Sequence, residues 1–303
     1  MTVQHFSSEI KKQALSIGFD ACGIARADYL DEDEVFLKNW LTDNCHADMS
    51  YMANYFDKRL DPRLLVDNAK SVVVVLLNYF PAEQQNSQLP QIAKYAYGAD
   101  YHTIIKNKLH ELLHEIRRLS PEVEGRAFVD TAPVLERRWA QRAGLGWIGK
   151  NTNLINPQLG SFVFIGELIL NIELSPDLPL PNRCGTCHIC LDNCPTRALH
   201  APYKLDARRC LSYHSIESKN AIPLEISTYL ENKLYGCDNC QDCCPWNRPA
   251  AITRTVELAP LPEILSMKRE DWLQLSEEEF AERFRFSPIK RAGLAKIKKT
   301  LSA

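Results

Sequence analysis

The chain has 303 residues, of which 45% are hydrophobic, so it is long enough to bury the core of one large domain or two ordinary ones. Its formal net charge of −2 excludes a protein that attracts nucleic acid through a strongly basic overall charge. Eleven cysteines are many for this length and have to be explained by metal binding, by disulfide bonds or by burial.

The first residues of the chain indicate the cellular compartment of the protein. Residues 1–20 contain no apolar run of signal-peptide length and no twin arginine. No stretch of about 18 apolar residues occurs that could span a membrane. We therefore expect a cytoplasmic protein without membrane contact, whose clustered cysteines bind metal rather than form disulfides.

Residues 1–175 are predicted to combine helices and strands around one core. Ile10, Ala14 and Ile17 recur at helical spacing and are followed by Gly18, which predicts a helix that ends there. The β-branched run SVVVVLLNYF (71–80) is typical of a strand covered on both faces. Further strands are predicted at 19–26, 125–131 and 160–171, and helices at 101–119 and 133–144, the latter with Pro133 in its first turn. This pattern indicates an α+β domain with α/β-like character.

One glycine-rich segment imitates a nucleotide-binding motif. Gly144, Gly146 and Gly149 fit the GxGxxG pattern, but they follow a predicted helix, whereas the dinucleotide motif follows a strand and opens a helix. Asn151 after Lys150 also breaks the P-loop pattern. We therefore expect these glycines to form a tight turn or to let the backbone pass close to a flat group.

The proline-rich segment SPDLPLPNR (175–183) predicts a linker, and nine of the eleven cysteines follow it. The first run is Cys184-x2-Cys187-x2-Cys190-x3-Cys194-Pro195, and the second is Cys237-x2-Cys240-x3-Cys244-Pro245. This is the spacing of bacterial two-cluster ferredoxins, in which the cysteine of the Cys-Pro pair ligates the other cluster. One 4Fe-4S cluster is then predicted on Cys184, Cys187, Cys190 and Cys244, and a second on Cys194, Cys237, Cys240 and one further residue.

The fourth ligand of the second cluster can be Cys243 or Cys210. Ferredoxin spacing favours Cys243, but its neighbour Cys244 already serves the first cluster, and adjacent ligands of two cubes would be tightly constrained, so we favour Cys210. Two structural zinc sites are the alternative, since CxxC pairs also bind zinc. Cys22 and Cys45 lie outside the runs and are interpreted as ordinary buried thiols.

The patterns divide the chain into residues 1–175, a ferredoxin-like domain at 176–255, and a helical C-terminal segment at 256–303. The last of these contains seven basic residues and no acidic residue between positions 283 and 299. They are Arg283, Arg285, Lys290, Arg291, Lys296, Lys298 and Lys299. Such a segment is either a solvated helix face or a phosphate-binding surface.

Four segments together resemble the epoxyqueuosine reductase family. They are KRLDPRLLVDNAKSVVVV, YAYGADYH, FRFSPIKRAGLAKIKKTL and the run from VDTAPVLERRWAQRAGLGWIGKN to the two cysteine motifs. The resemblance implies a cobalamin-dependent iron–sulfur enzyme, related to reductive dehalogenases, that reduces the epoxide of epoxyqueuosine at the tRNA wobble position to the alkene. It also implies Cys210 as the fourth ligand of the second cluster.

The resemblance assigns the catalytic acid to Asp130, since an epoxide oxygen leaves poorly without protonation. An apolar corrin beside Phe128 and Val129 predicts a raised pKa for this carboxyl group. A helix N-cap is the alternative role for Asp130.

Arg59, Tyr97, Lys150, Asn151 and Ser212 are the predicted cobalamin contacts, with solvated loops as the alternative for several of them. Asp100-Tyr-His102-Thr-Ile-Ile105 matches only half of the D-x-H-x-x-G motif that supplies a histidine ligand to cobalt. We therefore expect base-off cobalamin without a protein histidine ligand, and a structural or substrate-contacting role for His102.

The implied partners are tRNA carrying epoxyqueuosine and an electron donor, and we expect a monomer. Arg137, Arg138 and Arg142 are candidates to extend the basic surface. Three other functions remain open: an electron-transfer module, a cobalamin-dependent reductase of small molecules that resembles dehalogenases, and a zinc-stabilised RNA-binding protein. Cobalamin binding, tRNA binding and iron content distinguish them.

Overall fold

The computed structural model describes residues 2–248 and 250–303. The α-helices are α1 Val3–Ser16, α2 Asp31–Thr42, α3 Phe56–Leu60, α4 Tyr101–Leu119, α5 Glu136–Arg142, α6 Ile189–Asp192, α7 Leu224–Ser227, α8 Asn239–Asp242, α9 Pro262–Ser266, α10 Arg269–Gln274, α11 Glu277–Arg283 and α12 Gly293–Leu301. The strands are β1 Ala21–Arg26, β2 Ser71–Asn78, β3 Gln91–Ile92, β4 Gly125–Phe128, β5 Trp147–Ile148, β6 Leu154–Ile155, β7 Val163–Leu170, β8 Leu199–Ala201, β9 Lys204–Leu205 and β10 Lys233–Tyr235. A π-helical turn occupies Tyr213–Glu217, and short 3₁₀ turns lie between the longer elements.

The central sheet has the strand order β1-β2-β7-β4, and every neighbouring pair is antiparallel. All residues of β2 and β7 are buried, because helices cover both faces. Helices α1 and α4 pack on one face through residues such as Ile10 and Leu109, and α2 and α5 pack on the other through Leu37 and Trp139. The prediction of a strand covered on both faces is confirmed, and the antiparallel order makes the fold α+β.

Local signals explain several helix ends. Gly18 adopts φ +98° just after α1, as the predicted helix end requires. The carboxylate of Asp100 accepts a hydrogen bond from the His102 amide and caps α4. The prediction that a helix begins at Pro133 is wrong, since α5 begins at Glu136. The intervening residues form turns in which Asp130 has φ +49°, and the Glu136 carboxylate accepts a hydrogen bond from the Asp130 amide.

The GxGxxG segment forms a tight turn, one of the two roles expected of its glycines, and continues into a hairpin that was not predicted. Gly144 follows α5 with φ +71°, and the strands β5 and β6 pair next to it. A side chain at Gly146 would collide with the Ile155 carbonyl oxygen. The glycines therefore serve close packing of the hairpin.

The C-terminal helices form a third core with elements from the earlier parts of the chain. Residues 175–183 contain neither helix nor strand. Strand β10, within the cysteine region, pairs in parallel with β3, and Trp272 and Phe284 pack with Tyr97 and Tyr235. The helical prediction for 256–303 is confirmed, while the two boundaries between the three predicted domains stay predictions. Within the described ranges no helix is long and apolar enough to cross a membrane.

Candidate active site and cluster ligands

The seven cysteines of the two runs and Cys210 form two groups of four. Burial raises the pKa of the Cys190 thiol to about 11, and Cys244, Cys184 and Cys187 add to the shift because their charges lie nearby. The first group therefore combines three cysteines of one run with the Cys-Pro cysteine of the other. In the described part of the chain no three His, Cys, Asp or Glu side chains converge closely enough to hold a single metal ion.

The second group likewise combines cysteines of both runs. Burial raises the pKa of Cys240 well above the ordinary thiol value, and the charges of Cys237, Cys210 and Cys194 act in the same direction. Cys243 behaves differently, because its pKa is raised to about 11 by burial and then by Cys190 and Cys244. The fold thus brings Cys210 to the second group and leaves Cys243 beside the first.

Two adjoining cavities of about 630 and 410 Å³ separate the sheet from the second cysteine group. Asp130, Tyr101, Cys210 and Ser212 line both of them. The smaller cavity has apolar and aromatic walls, with amide and hydroxyl groups at its border. These wall residues are Tyr79, Leu154, Val163, Phe164 and Ile165, and the polar ones include Asn151, Thr152, Asn153 and Gln241. Flat apolar walls with polar groups at the border suit a large planar ligand that carries carboxamide groups.

The Asp130 carboxylate is the centre of a hydrogen-bond chain. The Tyr101 hydroxyl donates to Asp130 Oδ2 over 2.8 Å, and His102 Nε2 lies 3.0 Å from the same atom. His102 Nδ1 lies 2.7 Å from Asp100 Oδ1, so both ring nitrogens of His102 face carboxylates. Tyr101 and His102 stand at the start of α4, whereas Asp130 follows β4, so the antiparallel sheet and α4 bring them together.

These neighbours decide where protons reside. Burial alone would lower the pKa of His102, but the hydrogen bonds and charges of Asp100 and Asp130 raise it to about 9. Burial alone would raise the pKa of Asp130, but hydrogen bonds from His102 and Tyr101 lower it below its usual range. The predicted raised pKa for Asp130 is therefore wrong. At neutral pH His102 is protonated and Asp130 is a carboxylate.

Lys150 and Asn151 contact the cysteine runs. The Lys150 ammonium donates to the carbonyl oxygens of Gly185, at 2.7 Å, and Cys187, at 2.8 Å. The buried Asn151 amide donates to the Cys240 carbonyl oxygen at 3.0 Å and lines the smaller cavity. Asn151 thus joins the second cysteine group to the cavity wall, and Ser212 lies where the two cavities meet.

Arg59 and Tyr97 occupy more distant positions. Arg59 is buried, and its guanidinium group donates to the carbonyl oxygens of Tyr51 at 2.6 Å and Asn54 at 3.2 Å. Tyr51 itself lines the larger cavity, so Arg59 shapes that wall through the loop. Tyr97 lies in the C-terminal core.

The basic residues of the C-terminal segment differ in their contacts. Lys296 donates to the Ser218 carbonyl oxygen and Lys298 to that of Leu275, while Arg291 pairs with Glu217 at 2.8 Å. Lys290 is exposed and lines the larger cavity together with Arg291. The exposed positive charge beside the cavity is therefore smaller than the sequence indicates.

The three arginines of α5 have internal partners. Arg137 donates to the Thr152 carbonyl oxygen, Arg138 pairs with Asp33, and Arg142 lies over the Trp139 ring. These contacts tie the three side chains to residues of the first half of the chain.

Sequence reasoning does not identify Tyr101 and Glu136, and it assigns His102 only a structural or substrate-contacting role. The Asp100-x-His102 pair carries a signal for a His102–carboxylate contact, but in the sequence it also matches half of a corrinoid motif. Nothing local in the sequence relates α4 to Asp130, which lies 28 residues from His102.

Comparisons with known proteins agree on one family. A family model described as "Epoxyqueuosine reductase QueG, DUF1730" matches residues 59–131, and one described as "4Fe-4S double cluster binding domain" matches residues 183–247. The chain is 47% identical to an epoxyqueuosine reductase of Cellulophaga algicola, over 99% of this chain and 98% of the relative.

Solved structures give the same result. The chain is similar, with a TM-score of 0.91 and 32% identity, to an epoxyqueuosine reductase crystallised with an epoxyqueuosine-modified tRNA-Tyr stem loop, over 99% of this chain and 80% of the other. A Bacillus subtilis epoxyqueuosine reductase, whose aspartate-bearing catalytic loop is swung out of its active site, matches with a TM-score of 0.89 and 30% identity, over 99% and 81% of the two chains. A reductive dehalogenase, at 15% identity and a TM-score of 0.51, shares the fold alone, over 99% of this chain and 38% of the other.

Proposed function

The chain belongs to the epoxyqueuosine reductase family, and from this premise we propose that it reduces epoxyqueuosine to queuosine in tRNA, with Asp130 as proton donor and with electrons supplied through two 4Fe-4S clusters and cobalamin. The protein is an oxidoreductase that carries a 4Fe-4S cluster domain. The observation that carries the proposal is the continuous cleft between Asp130 and the second cysteine group. It gives electrons and protons access to one reacting group.

The cluster ligands follow from the two cysteine groups. We assign Cys184, Cys187, Cys190 and Cys244 to one cluster, and Cys194, Cys210, Cys237 and Cys240 to the other. The second group lies at the wall of the smaller cavity, so it is the cluster from which electrons reach the cleft. Lys150 and Asn151 hold the cysteine loops in place.

The smaller cavity is our proposed cobalamin site. Its aromatic and aliphatic walls suit a corrin ring, and Asn151, Ser212 and the neighbouring polar groups suit the carboxamides at the ring edge. When bound there, cobalamin at the Co(I) level supplies a strong two-electron nucleophile. Arg59 and Tyr97 are proposed to support this site through the loop and the core that they hold.

The chemistry requires two electrons and two protons, because the epoxide becomes an alkene and its oxygen leaves as water. Asp130 faces the larger cavity and is the group proposed to pass a proton to that oxygen. Since Asp130 is a carboxylate at neutral pH, the first proton is drawn from the His102 imidazolium, whose Nε2 lies 3.0 Å away. The swung-out catalytic loop of the Bacillus subtilis relative, which bears an aspartate, supports an acid carried on residues 129–135.

Nucleoside mass spectrometry tests the proposal. Protein with clusters reconstituted anaerobically is incubated with epoxyqueuosine-containing tRNA and a strong reductant, with and without cobalamin. We expect the modified base to lose one oxygen only in the presence of cobalamin. Cobalamin binding without conversion would favour a small-molecule reductase, and an absence of cobalamin binding would favour an electron carrier.

Activity is expected to depend on the protonation of His102. Its pKa is raised to about 9, so the imidazolium is present at neutral pH and is lost as the pH rises through that value. Replacing His102 by glutamine keeps a hydrogen bond but removes the proton, and we expect kcat at pH 7 to fall about tenfold or more. The decrease of activity centred near pH 9 should be present in the wild type and absent from the variant. An unchanged pH profile in His102→Gln would contradict this role.

Lys290 is expected to bind a phosphate of the tRNA, because it is exposed at the mouth of the larger cavity. Replacing it by alanine should weaken binding of a tRNA stem loop and reduce the salt dependence of the logarithm of the binding constant by about one. Binding is measured by fluorescence anisotropy at several salt concentrations. Lys12→Ala is the control, since Lys12 is exposed on α1, and equal effects of both variants would exclude a specific contact.

A further inference from the structure

An arginine and a glutamate from two distant segments meet in the wall of the larger cavity. Glu217 ends the π-helical turn Tyr213–Glu217, and Arg291 ends the 3₁₀ turn Pro288–Arg291. Nη2 of Arg291 lies 2.8 Å from Oε1 and 2.9 Å from Oε2 of Glu217. Both side chains line the cavity that Asp130 also lines, and the positive charge of Arg291 is close enough to act on the Asp130 carboxylate. The ion pair therefore borders the space in which the proposed reaction takes place.

The ion pair keeps hydrogen-bonding capacity for a ligand. The exposed fraction is 50% for the Arg291 side chain and 22% for that of Glu217. Both contacts use the nitrogen Nη2, so the pair leaves the N–H groups on Nε and Nη1 of Arg291 for other partners. Each carboxylate oxygen of Glu217 has two lone pairs and uses one of them in the pair. The cavity wall thus offers a hydrogen-bond donor beside two acceptors.

The base of epoxyqueuosine has the complementary pattern. It is a 7-deazaguanine, in whose Watson–Crick edge O6 accepts a hydrogen bond while N1–H and the 2-amino group donate. In an anticodon loop without a codon this edge is unpaired, and its polar groups lose their water when the base enters a cavity. A guanidinium donor and a carboxylate acceptor together replace the donor and the two acceptors that cytosine offers in a base pair. Adenine, which donates from N6 and accepts at N1, does not match them.

The substrate also carries a basic secondary amine, which is a second group that a carboxylate could bind. This amine belongs to the substituent on carbon 7, on the other side of the base from the Watson–Crick edge. An ammonium group at Glu217 would lie beside the guanidinium of Arg291, and like charges repel each other. Asp100 and Asp130 also line the cavity and have no such cation beside them other than His102. The pair therefore suits the base, and the substituent with its epoxide belongs next to Asp130.

An aromatic ring stands next to the ion pair. Tyr51 lines the same cavity, is 43% exposed, and lies near enough to Glu217 and Arg291 for their charges to act on its hydroxyl group. The buried Arg59 fixes the Tyr51 main chain through a hydrogen bond of 2.6 Å to its carbonyl oxygen. Unpaired bases stack on such rings in complexes of proteins with single-stranded nucleic acid.

We propose that Glu217 and Arg291 recognise the Watson–Crick edge of the modified wobble base, an inference that rests on the proposed function. Glu217 accepts hydrogen bonds from N1–H and the 2-amino group, and Arg291 donates to O6. Tyr51 stacks on the face of the base. The ion pair thereby selects a guanine-type base at the wobble position.

Binding of two stem loops tests the inference without turnover. They differ only at the wobble position, which is guanosine in one and inosine, without the 2-amino group, in the other. Fluorescence anisotropy with the reconstituted wild type should show that guanosine binds about tenfold or more tightly, because inosine loses a hydrogen bond to a charged group. Glu217→Gln should reduce this preference to about twofold or less, since its neutral amide offers a single acceptor. Glu225→Gln is the matched control, because Glu225 is exposed on α7, and it should keep the wild-type preference.

Equal binding of the two stem loops by the wild type, or a full preference in Glu217→Gln, would overturn the inference. If Glu217→Gln does not fold, a stem loop with 1-methylguanosine at the wobble position replaces it, since the methyl group removes the N1–H donor. We expect the wild type to bind this stem loop about tenfold or more weakly than the one with guanosine. Unchanged binding would contradict the contact with N1–H.

Kinetics separate base recognition from the chemical step. We expect Glu217→Gln to raise the KM for epoxyqueuosine-containing tRNA about tenfold, because the contact with the base is present before and during the reaction. A fall of kcat with an unchanged KM would assign Glu217 to the chemical step and overturn base recognition.

Failure of the inference differs from failure of the proposed function. A wild type that does not convert epoxyqueuosine overturns the proposed function, whatever its binding preference. An active wild type that binds guanosine and inosine stem loops equally overturns base recognition alone.

Discussion

Replacing Asp130 by asparagine is expected to lower kcat for epoxyqueuosine reduction by about 10²- to 10⁴-fold, the usual contribution of a positioned general acid. Asparagine keeps an oxygen that can accept hydrogen bonds from Tyr101 and His102, so the loop should retain its position. It cannot carry a proton to the epoxide oxygen. The substitution therefore isolates proton transfer from the geometry of the site.

The measurement is single-turnover conversion of tRNA-bound epoxyqueuosine, followed by nucleoside mass spectrometry. Stem-loop affinity, iron content and cobalamin binding should match the wild type, because Asp130 belongs to none of the cysteine groups. Asp67→Asn is the matched control, since Asp67 is exposed on the surface and should retain full activity. If Asp130→Asn turned over at the wild-type rate, the proton donor would have to be His102 or Tyr101 acting directly.

Replacing Cys210 by serine is expected to remove one of the two clusters and to reduce activity to about 1% of the wild type or less. Cys210 lies with Cys240, Cys237 and Cys194, and it lines the cleft. Its replacement therefore removes one of the four ligands of the cluster nearest to the reacting group. A thiolate is the ligand that iron–sulfur clusters require, and a serine hydroxyl is a poor substitute.

Cys243→Ser provides the matched comparison, because Cys243 is also a partly exposed thiol within a cysteine run but lies beside Cys190 and Cys244. We expect this variant to keep its full iron content and most of its activity. Iron analysis and electron paramagnetic resonance of the reduced proteins measure the number of clusters. The reverse result, with iron lost from Cys243→Ser and retained in Cys210→Ser, would assign Cys243 as the ligand.

Elements whose signals come from residues adjacent in the sequence can be predicted. Helical spacing before Gly18 identified α1, and the run of β-branched residues identified β2 as a strand buried on both faces. Pro133 was misleading, because a proline that suits a first helical turn here lies in the turns that carry Asp130. The helix-start preference of Pro133 is outweighed by the tertiary contacts of the loop, in which the Asp130 amide donates a hydrogen bond to the Glu136 carboxyl group.

The charge pattern of the C-terminal segment was less informative. Seven basic residues without an acidic one suggested a broad phosphate-binding surface. Lys296 and Lys298 instead donate to main-chain carbonyl groups, and Glu217, which lies outside the segment, pairs with Arg291. Partners from distant parts of the chain cannot be read from a local count of charges.

The sequence by itself determined the iron–sulfur chemistry, since the cysteine spacing encodes how a short loop wraps a cluster, and this spacing is local. Only the tertiary structure decided the proton chemistry. The pKa values of Asp130 and His102 depend on burial, on each other, and on hydrogen bonds with Tyr101 and Asp100. Electrostatic interactions act through space, so the antiparallel sheet and the helices on it, rather than the order of residues, decide which groups hold protons.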